Sequence, residues 1–169
     1  MANQPVSDMT TQGYEPPRNV QFNVFLDNRV GKLLELVAIF RGQALNLAAL
    51  SILDSADHAV VRVLTSRSDL ARRLLQRYGL AFSEAQVLVI ELDEDHDLEL
   101  ACKAMLAAEL NIHYAYPLLV HPHGRPAVVL QVDDHHLACQ LLRRRLFTLL
   151  AENDLGENAL LDDGGVPPL

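Results

Sequence analysis

The sequence predicts an α+β fold made of two consecutive β-α-β-β-α-β units. Apolar residues alternate along the chain between a period of two, typical of strands, and a helical period. The order of these segments occurs twice at a nearly constant separation. Half of the 169 residues are hydrophobic, which is enough to fill a core.

Composition divides the chain into four parts. Residues 1–18 are polar and rich in proline, and we expect a flexible leader there. The first repeat is predicted over 19–85 and the second over 86–155. Residues 156–169 end in glycine and proline pairs and are expected to form a loose tail.

Apolar spacing defines the first strand and the first helix. The strand is indicated by residues two positions apart, namely Val20, Phe22, Val24 and Leu26. The helix is indicated by residues with helical spacing, namely Leu33, Leu36, Val37 and Phe40. Gly42 follows as a stop signal.

A hairpin, a helix and a short strand complete the first repeat. The predicted bounds are 45–53 and 59–64 for the hairpin strands, 69–78 for the helix and 80–85 for the last strand. Ser68 is positioned to cap the helix, and Gly79 ends it.

The second repeat has the same order. Its predicted bounds are 86–92, 112–120 and 127–132 for strands, 97–110 and 134–145 for helices, and 147–150 for the start of a last strand. Gly31 aligns with His96 and Asn46 with Asn111 at an offset of 65, and Leu70 aligns with Leu137 at an offset of 67.

This order places both helices of a repeat on one face of an antiparallel sheet, the ferredoxin-like arrangement. The segment 86–92 is apolar on both sides, and helices can cover only one face. We therefore expect the two repeats to pack closely together, with further assembly into a homodimer.

The loop between the first strand and the first helix is the main candidate site. Gly31 lets the backbone approach a ligand, and free N–H groups at the helix start favour a carboxylate. Arg29 and Lys32 add positive charge, while Asp27 and Asn28 offer acceptors to an ammonium group. The candidate residues are Asp27, Asn28, Arg29, Val30, Gly31, Lys32 and Leu33. An ordinary helix-entry loop is the alternative.

The segment FLDNRVGKLLELVAIFRGQALNLAAL resembles the first half of an ACT domain. The matching residues are Asp27, Asn28, Gly31, Leu33, Asn46 and Leu47. The segment LNIHYAYPL resembles the second strand of the second repeat in tandem ACT proteins, and the whole resemblance covers about 20–155.

The resemblance implies a non-catalytic regulatory module that binds an amino acid or a similar small carboxylate between ACT units. Its output would pass to a separate metabolic enzyme. It also implies that the other wall of the site comes from a second strand, with Leu50, Ser51 and Ile52 or with Tyr114 and Tyr116.

The second repeat departs from this pattern. Its corresponding segment, 93–97, is acidic, and His96 stands where the first repeat has Gly31. These carboxylates would repel a carboxylate ligand, so no equivalent second site is expected.

Three alternative functions are weighed against ligand sensing. Imidazole side chains could form a metal sensor, using His113, His121, His123, His135 and His136. An enzyme could use the segment 93–97, and an assembly module would bind no small ligand. We expect no cofactor and no metal, and we assign Cys102 and Cys139 to packing, with Cys102 on the apolar side of its helix.

Charge and hydropathy narrow the partners. The 14 basic and 22 acidic residues give a net charge of −8, which disfavours nucleic acid and anionic membranes. The apolar stretches are too short to span a bilayer, and the first residues have no secretory signal pattern. We therefore expect a cytoplasmic protein.

Overall fold

The computed structural model describes residues 15–54 and 58–156. Its strands are β1 (Asn19–Asp27), β2 (Leu47–Asp54), β3 (His58–Thr65), β4 (Phe82–Glu91), β5 (Ile112–Pro117) and β6 (Ala127–Val132). Its helices are α1 (Lys32–Phe40), α2 (Ser68–Arg77), α3 (Leu98–Ala107) and α4 (His135–Arg144). Nearly all of the predicted leader and tail lies outside the described residues.

The six strands form one antiparallel sheet in the order β2-β3-β1-β4-β6-β5. The α+β class and the two ferredoxin-like units predicted from the sequence are confirmed. Strand β4 belongs to both units, because its first part pairs with β1 and its last part pairs with β6.

Two predicted strand boundaries are wrong. The segments 80–85 and 86–92 were expected to be separate strands, but they form the single strand β4. No glycine or proline lies between Phe82 and Glu91, so nothing in the chain interrupts the extended backbone. The last strand expected at 147–150 is reduced to one bridge, between Leu149 and Ile90.

The buried apolar residues form three hydrophobic cores. One lies under α1 and α2, with Phe22 and Leu75 among its fully buried residues. A second lies under α3 and α4 and includes Met105. The third joins the helix-free faces of both repeats and includes Leu64 and Val129. The third core confirms that the two repeats pack closely.

The curled sheet brings its two end strands together. The N–H of Leu119, just after β5, donates to the Ala48 carbonyl of β2 across 2.8 Å. The two ends of the sheet are therefore in contact, beside the third core that both repeats share.

Equivalent hydrogen bonds confirm the duplication. The Ser66 N–H donates to the Asn46 carbonyl at 3.0 Å, and the Asp133 N–H donates to the Asn111 carbonyl at 3.3 Å. The two hydrogen bonds are related by the offsets found in the sequence, which are 65 between Asn46 and Asn111 and 67 between Ser66 and Asp133. The register of β2 shifts between residues 47 and 49, and that of β5 shifts between 112 and 114.

The inward face of α1 differs from the prediction. Leu36, Ile39 and Phe40 are buried, whereas Leu33 and Val37 are exposed. The helix begins at Lys32. Its buried residues have the i, i+3, i+4 spacing of one helix face, so Ile39 rather than Val37 faces the core. Cys102 is also exposed, contrary to its assignment to packing, while Cys139 is buried as expected.

Ser68 does not cap α2 with its side chain. Ser68 is the first helical residue, and the preceding Arg67 makes no side-chain cap. The cap comes instead from Glu152, whose carboxylate accepts from the Ser68 backbone N–H and, at 2.9 Å, from its hydroxyl. The chain after α4 thus returns to hold the first repeat.

Candidate functional site

The β1–α1 loop has the backbone geometry expected of it. Gly31 adopts a left-handed φ of 90° directly before α1, and no atom lies within 4 Å of the position that a Cβ would occupy. No side chain caps this helix start. The Lys32 N–H donates to the Arg29 carbonyl at 3.2 Å, and the amides that follow it have no side-chain acceptor and can bind an anion.

Charged side chains in this loop already pair with one another. Arg29 forms an ion pair with Asp27, and this hydrogen bond lowers the pKa of Asp27 below its ordinary value. The Asn28 side-chain amide donates to the Asp54 carboxylate at 2.8 Å, which ties the loop to the end of β2. Val30 is fully exposed. These pairs are at the surface, so a ligand can replace them at low cost.

A groove runs along α1 from this loop. It has a volume of about 360 Å³ and lies between α1, the end of β1 and the turn after α2. The lining residues are Leu26, Lys32, Glu35, Leu36, Ala38, Ile39, Tyr78 and Leu80. Of the seven loop residues predicted as the candidate site, Lys32 lines the groove and the other six do not. Its Nζ lies 2.7 Å from the Glu35 carboxylate.

Sequence reasoning missed Glu35, Tyr78 and Leu80. Glu35 follows Lys32 by three residues, a spacing that places both on one side of a helix, and this was a usable signal. Gly79 has a left-handed φ of 66° and ends α2, so its neighbours turn toward α1. No local sequence pattern shows that Tyr78 and Leu80 lie beside α1.

The residues proposed for the other wall lie elsewhere. Leu50 packs against the first core, Ser51 pairs with Arg62 of β3, and Ile52 is 48% exposed; none of them lines the groove. Tyr114 and Tyr116 contact Gln21, six residues before Asp27 on β1. At about 3.3 Å per residue, these tyrosines are roughly 20 Å from the loop within one chain.

The two tyrosines instead form a polar cluster between the repeats. The Tyr116 hydroxyl donates to the side-chain carbonyl of Gln21 at 2.6 Å, and the amide of Gln21 donates to the Tyr114 hydroxyl at 2.8 Å. The Arg62 guanidinium lies 3.7 Å from the centre of the Tyr114 ring. Burial raises the pKa of Tyr116 far above its ordinary value, so this hydroxyl remains a donor at neutral pH.

The corresponding loop of the second repeat is filled by its own carboxylates. Asp93 accepts from the backbone N–H groups of Asp95, at 3.0 Å, and His96, at 2.7 Å. Asp97 caps α3 by accepting from the Leu100 N–H at 2.8 Å. The amides that would hold an anion are therefore already occupied.

The histidines are held in separate places. His123 contacts the buried Glu91 carboxylate at 2.7 Å, and His113 lies 2.6 Å from Asp133. His135 contacts the Pro17 carbonyl at 3.2 Å. Within residues 15–54 and 58–156, no three His, Cys, Asp or Glu side chains are grouped so that they could hold a metal ion.

The acidic segment also has a structural account. Asp93 orders its own loop and contacts His96 Nδ1 at 2.8 Å, which lowers the pKa of Asp93. The His96 ring packs edge-on against Phe147. These contacts account for the charged residues that had suggested an enzyme.

The fold and this loop define a class of small regulatory proteins built from paired βαββαβ units. The sequence matches the family described as ACT domain pair over residues 19–159. The chain belongs to that family. ACT domains are regulatory and non-catalytic, and in general they bind small amino-acid ligands and act with catalytic partners.

Solved structures show the same fold. Protein BT0572 from Bacteroides thetaiotaomicron is 24% identical, with a TM-score of 0.73, over 84% of this chain and 98% of that chain. The ligand-free regulatory subunit of aspartate kinase from Thermus thermophilus is 8% identical, with a TM-score of 0.52, over 78% of this chain and 94% of that one. No curated protein matches the sequence.

Within the part of the chain that the structure describes, no helix is long and apolar enough to cross a membrane.

Proposed function

We propose that this protein is a sensor that binds an amino acid or a similar small carboxylate at the β1–α1 loop of its first repeat. The observation that carries the proposal is the contrast between the two helix entrances. The first has Gly31 and no side-chain cap, whereas Asp93 and Asp97 fill the second. A carboxylate would therefore find free amides and positive charge at the first entrance alone.

The sensor acts on a separate metabolic enzyme. The protein from Thermus thermophilus that is similar in fold is the regulatory subunit of an enzyme, aspartate kinase. Tyr114 and Tyr116 are held in the cluster between the two repeats, so β5 is not expected to supply the second wall of the site. The proposal also includes a cytoplasmic homodimer.

Ligand binding is tested by thermal shift with each common amino acid, followed by calorimetry on the ligand found. We expect one site per chain. Gly31→Val should abolish binding, because valine strains a left-handed position and blocks the amides. Asp27→Ala should weaken ligands that carry an ammonium group. His96→Ala should change affinity little.

Gly124→Val is the matched control, since Gly124 also has a left-handed φ, of 70°, and open space around it. It imposes the same kind of strain away from the loop. Two equal sites per chain, or full binding by Gly31→Val, would contradict the proposal.

An assembly module without a small ligand is the second candidate function. Val30 and the α1 residues Leu33, Leu34 and Val37 are exposed at helical spacing, and Leu34 is 72% exposed. Such a stripe fits a helix of a partner protein or of a second copy. The thermal-shift screen separates this role from the sensor, because an assembly module should respond to no amino acid. In light scattering, Leu34→Glu should convert its dimer to a folded monomer.

A further inference from the structure

The groove beside α1 has an apolar floor. Leu26, Leu36 and Ile39 are buried residues of the first core, and each contributes to the groove lining. Leu80 packs against the same core from the other side. A charged or strongly polar ligand group placed against these side chains would lose its hydration without gaining a partner.

The rim of the groove carries one charge of each sign. Lys32 and Glu35 form an ion pair of 2.7 Å, and their side chains are 34% and 66% exposed. Exposed pairs of this kind contribute little to stability, so opening this one costs little. The two charges then match the carboxylate and the ammonium of a zwitterion.

The size of the groove restricts its occupant. Its volume of about 360 Å³ is near the lower end of the range for small-molecule sites. A single amino acid fits within this volume. Tyr78, which lines the groove and is 59% exposed, presents an aromatic ring that can pack on an apolar side chain.

We propose that this groove binds a free amino acid with a branched aliphatic or aromatic side chain. The side chain enters between Leu26 and Ile39. Lys32 joins the α1 amides in binding the carboxylate, and Glu35 joins Asp27 in binding the ammonium group. This inference rests on the proposed function and adds to it the chemical class of the ligand.

The test measures calorimetric affinity for L-leucine and L-phenylalanine against L-serine, L-aspartate and L-lysine. We expect the first two to bind at least tenfold more tightly than the others. Two leucine analogues, 4-methylpentanoate and isopentylamine, each lack one charge, and each should bind about ten- to a hundredfold more weakly than leucine.

Variants on α1 test the location. Lys32→Met should weaken leucine binding about ten- to a hundredfold. Lys103→Met is its matched control, because Lys103 forms a similar ion pair with Glu99, of 2.6 Å, on α3. Ala38→Leu narrows the groove and should exclude leucine, whereas Ala107→Leu on the exposed side of α3 should not.

The outcomes separate this inference from the proposed function. Binding of serine, aspartate or lysine alone, lost in Gly31→Val, would overturn the groove assignment and leave the sensor proposal standing. Leucine binding unaffected by both Lys32→Met and Ala38→Leu would also overturn it. If no amino acid binds, both the inference and the proposed function fail.

Discussion

Tyr116→Phe removes one hydroxyl from the interface between the repeats and tests how much that polar cluster stabilises the fold. Tyr116 and Gln21 are 6% and 0% exposed, and the hydroxyl donates to Gln21 across 2.6 Å. Without it, the side-chain carbonyl of Gln21 stays buried and loses a donor. That loss costs about 2 kcal/mol of the free energy of unfolding, which corresponds to roughly 4–8 °C in Tm for a chain of this size.

The assay is equilibrium unfolding in urea followed by far-UV circular dichroism, since the chain contains no tryptophan. Tyr78→Phe is the control, because Tyr78 is 59% exposed and its change should be below about 0.5 kcal/mol. The double variant Gln21→Met with Tyr116→Phe should recover part of the loss, because both buried partners of this hydrogen bond are then replaced, while Tyr114 loses the donor that Gln21 supplied. A silent Tyr116→Phe, or strictly additive effects, would refute this account.

Three further predictions concern the stability of the fold, through the Glu152 cap of α2, the burial of His135 and the packing of the two repeats. Glu152→Ala removes the acceptor for Ser68 at the start of α2 and should lower the free energy of unfolding by about 1 kcal/mol, measured in urea. Burial lowers the pKa of His135 below its ordinary value of 6.5, so the unfolded chain binds more protons near that pH. Stability should therefore fall as pH falls from 7.5 to 5.5, and fall less in His135→Gln; equal slopes in thermal scans would contradict this. The fragment 19–85 should be largely unfolded by circular dichroism, because it cuts β4 and exposes Leu64; a cooperative transition in the fragment would contradict close packing.

The duplication could be predicted because it is a local pattern repeated. Asn46 and Asn111, which precede the second strand of each repeat, make equivalent hydrogen bonds, and Gly31, singled out for its backbone freedom, adopts a left-handed conformation. Apolar periodicity identifies elements in this way because each element must bury one face. Periodicity does not show whether two consecutive apolar segments form two strands or one continuous strand, as they do in β4.

The polar cluster could not be predicted from the sequence. Gln21 lies between apolar residues of β1, and its alternation with Phe22 indicated a polar face without showing what covers it. That cover is Tyr114 and Tyr116, more than ninety residues later in the chain. Local periodicity carries no information about a contact of that separation.

The groove shows the same limit at the candidate site. Lys32 belongs to a loop whose composition indicated a ligand, and it was identified for that reason. Tyr78 and Leu80 come from a turn that indicated only the end of a helix, and they meet Lys32 because α1 and α2 share one face of the sheet. The charged part of the site was therefore readable from the sequence, and its apolar part required the fold.

Both repeats face the same physical requirement at the entrance to their first helix, because every helix leaves its first N–H groups without intrahelical partners. In the second repeat, Asp97 caps α3 by accepting from the Leu100 N–H, and Asp93 accepts from the loop amides just before the helix. The first repeat has no side-chain cap and places Gly31 where a side chain would obstruct approach. A carboxylate bound there would supply the cap that the chain lacks, and would stabilise α1 as it binds. The same anion would gain nothing at the second entrance, so we expect one binding site from a scaffold used twice.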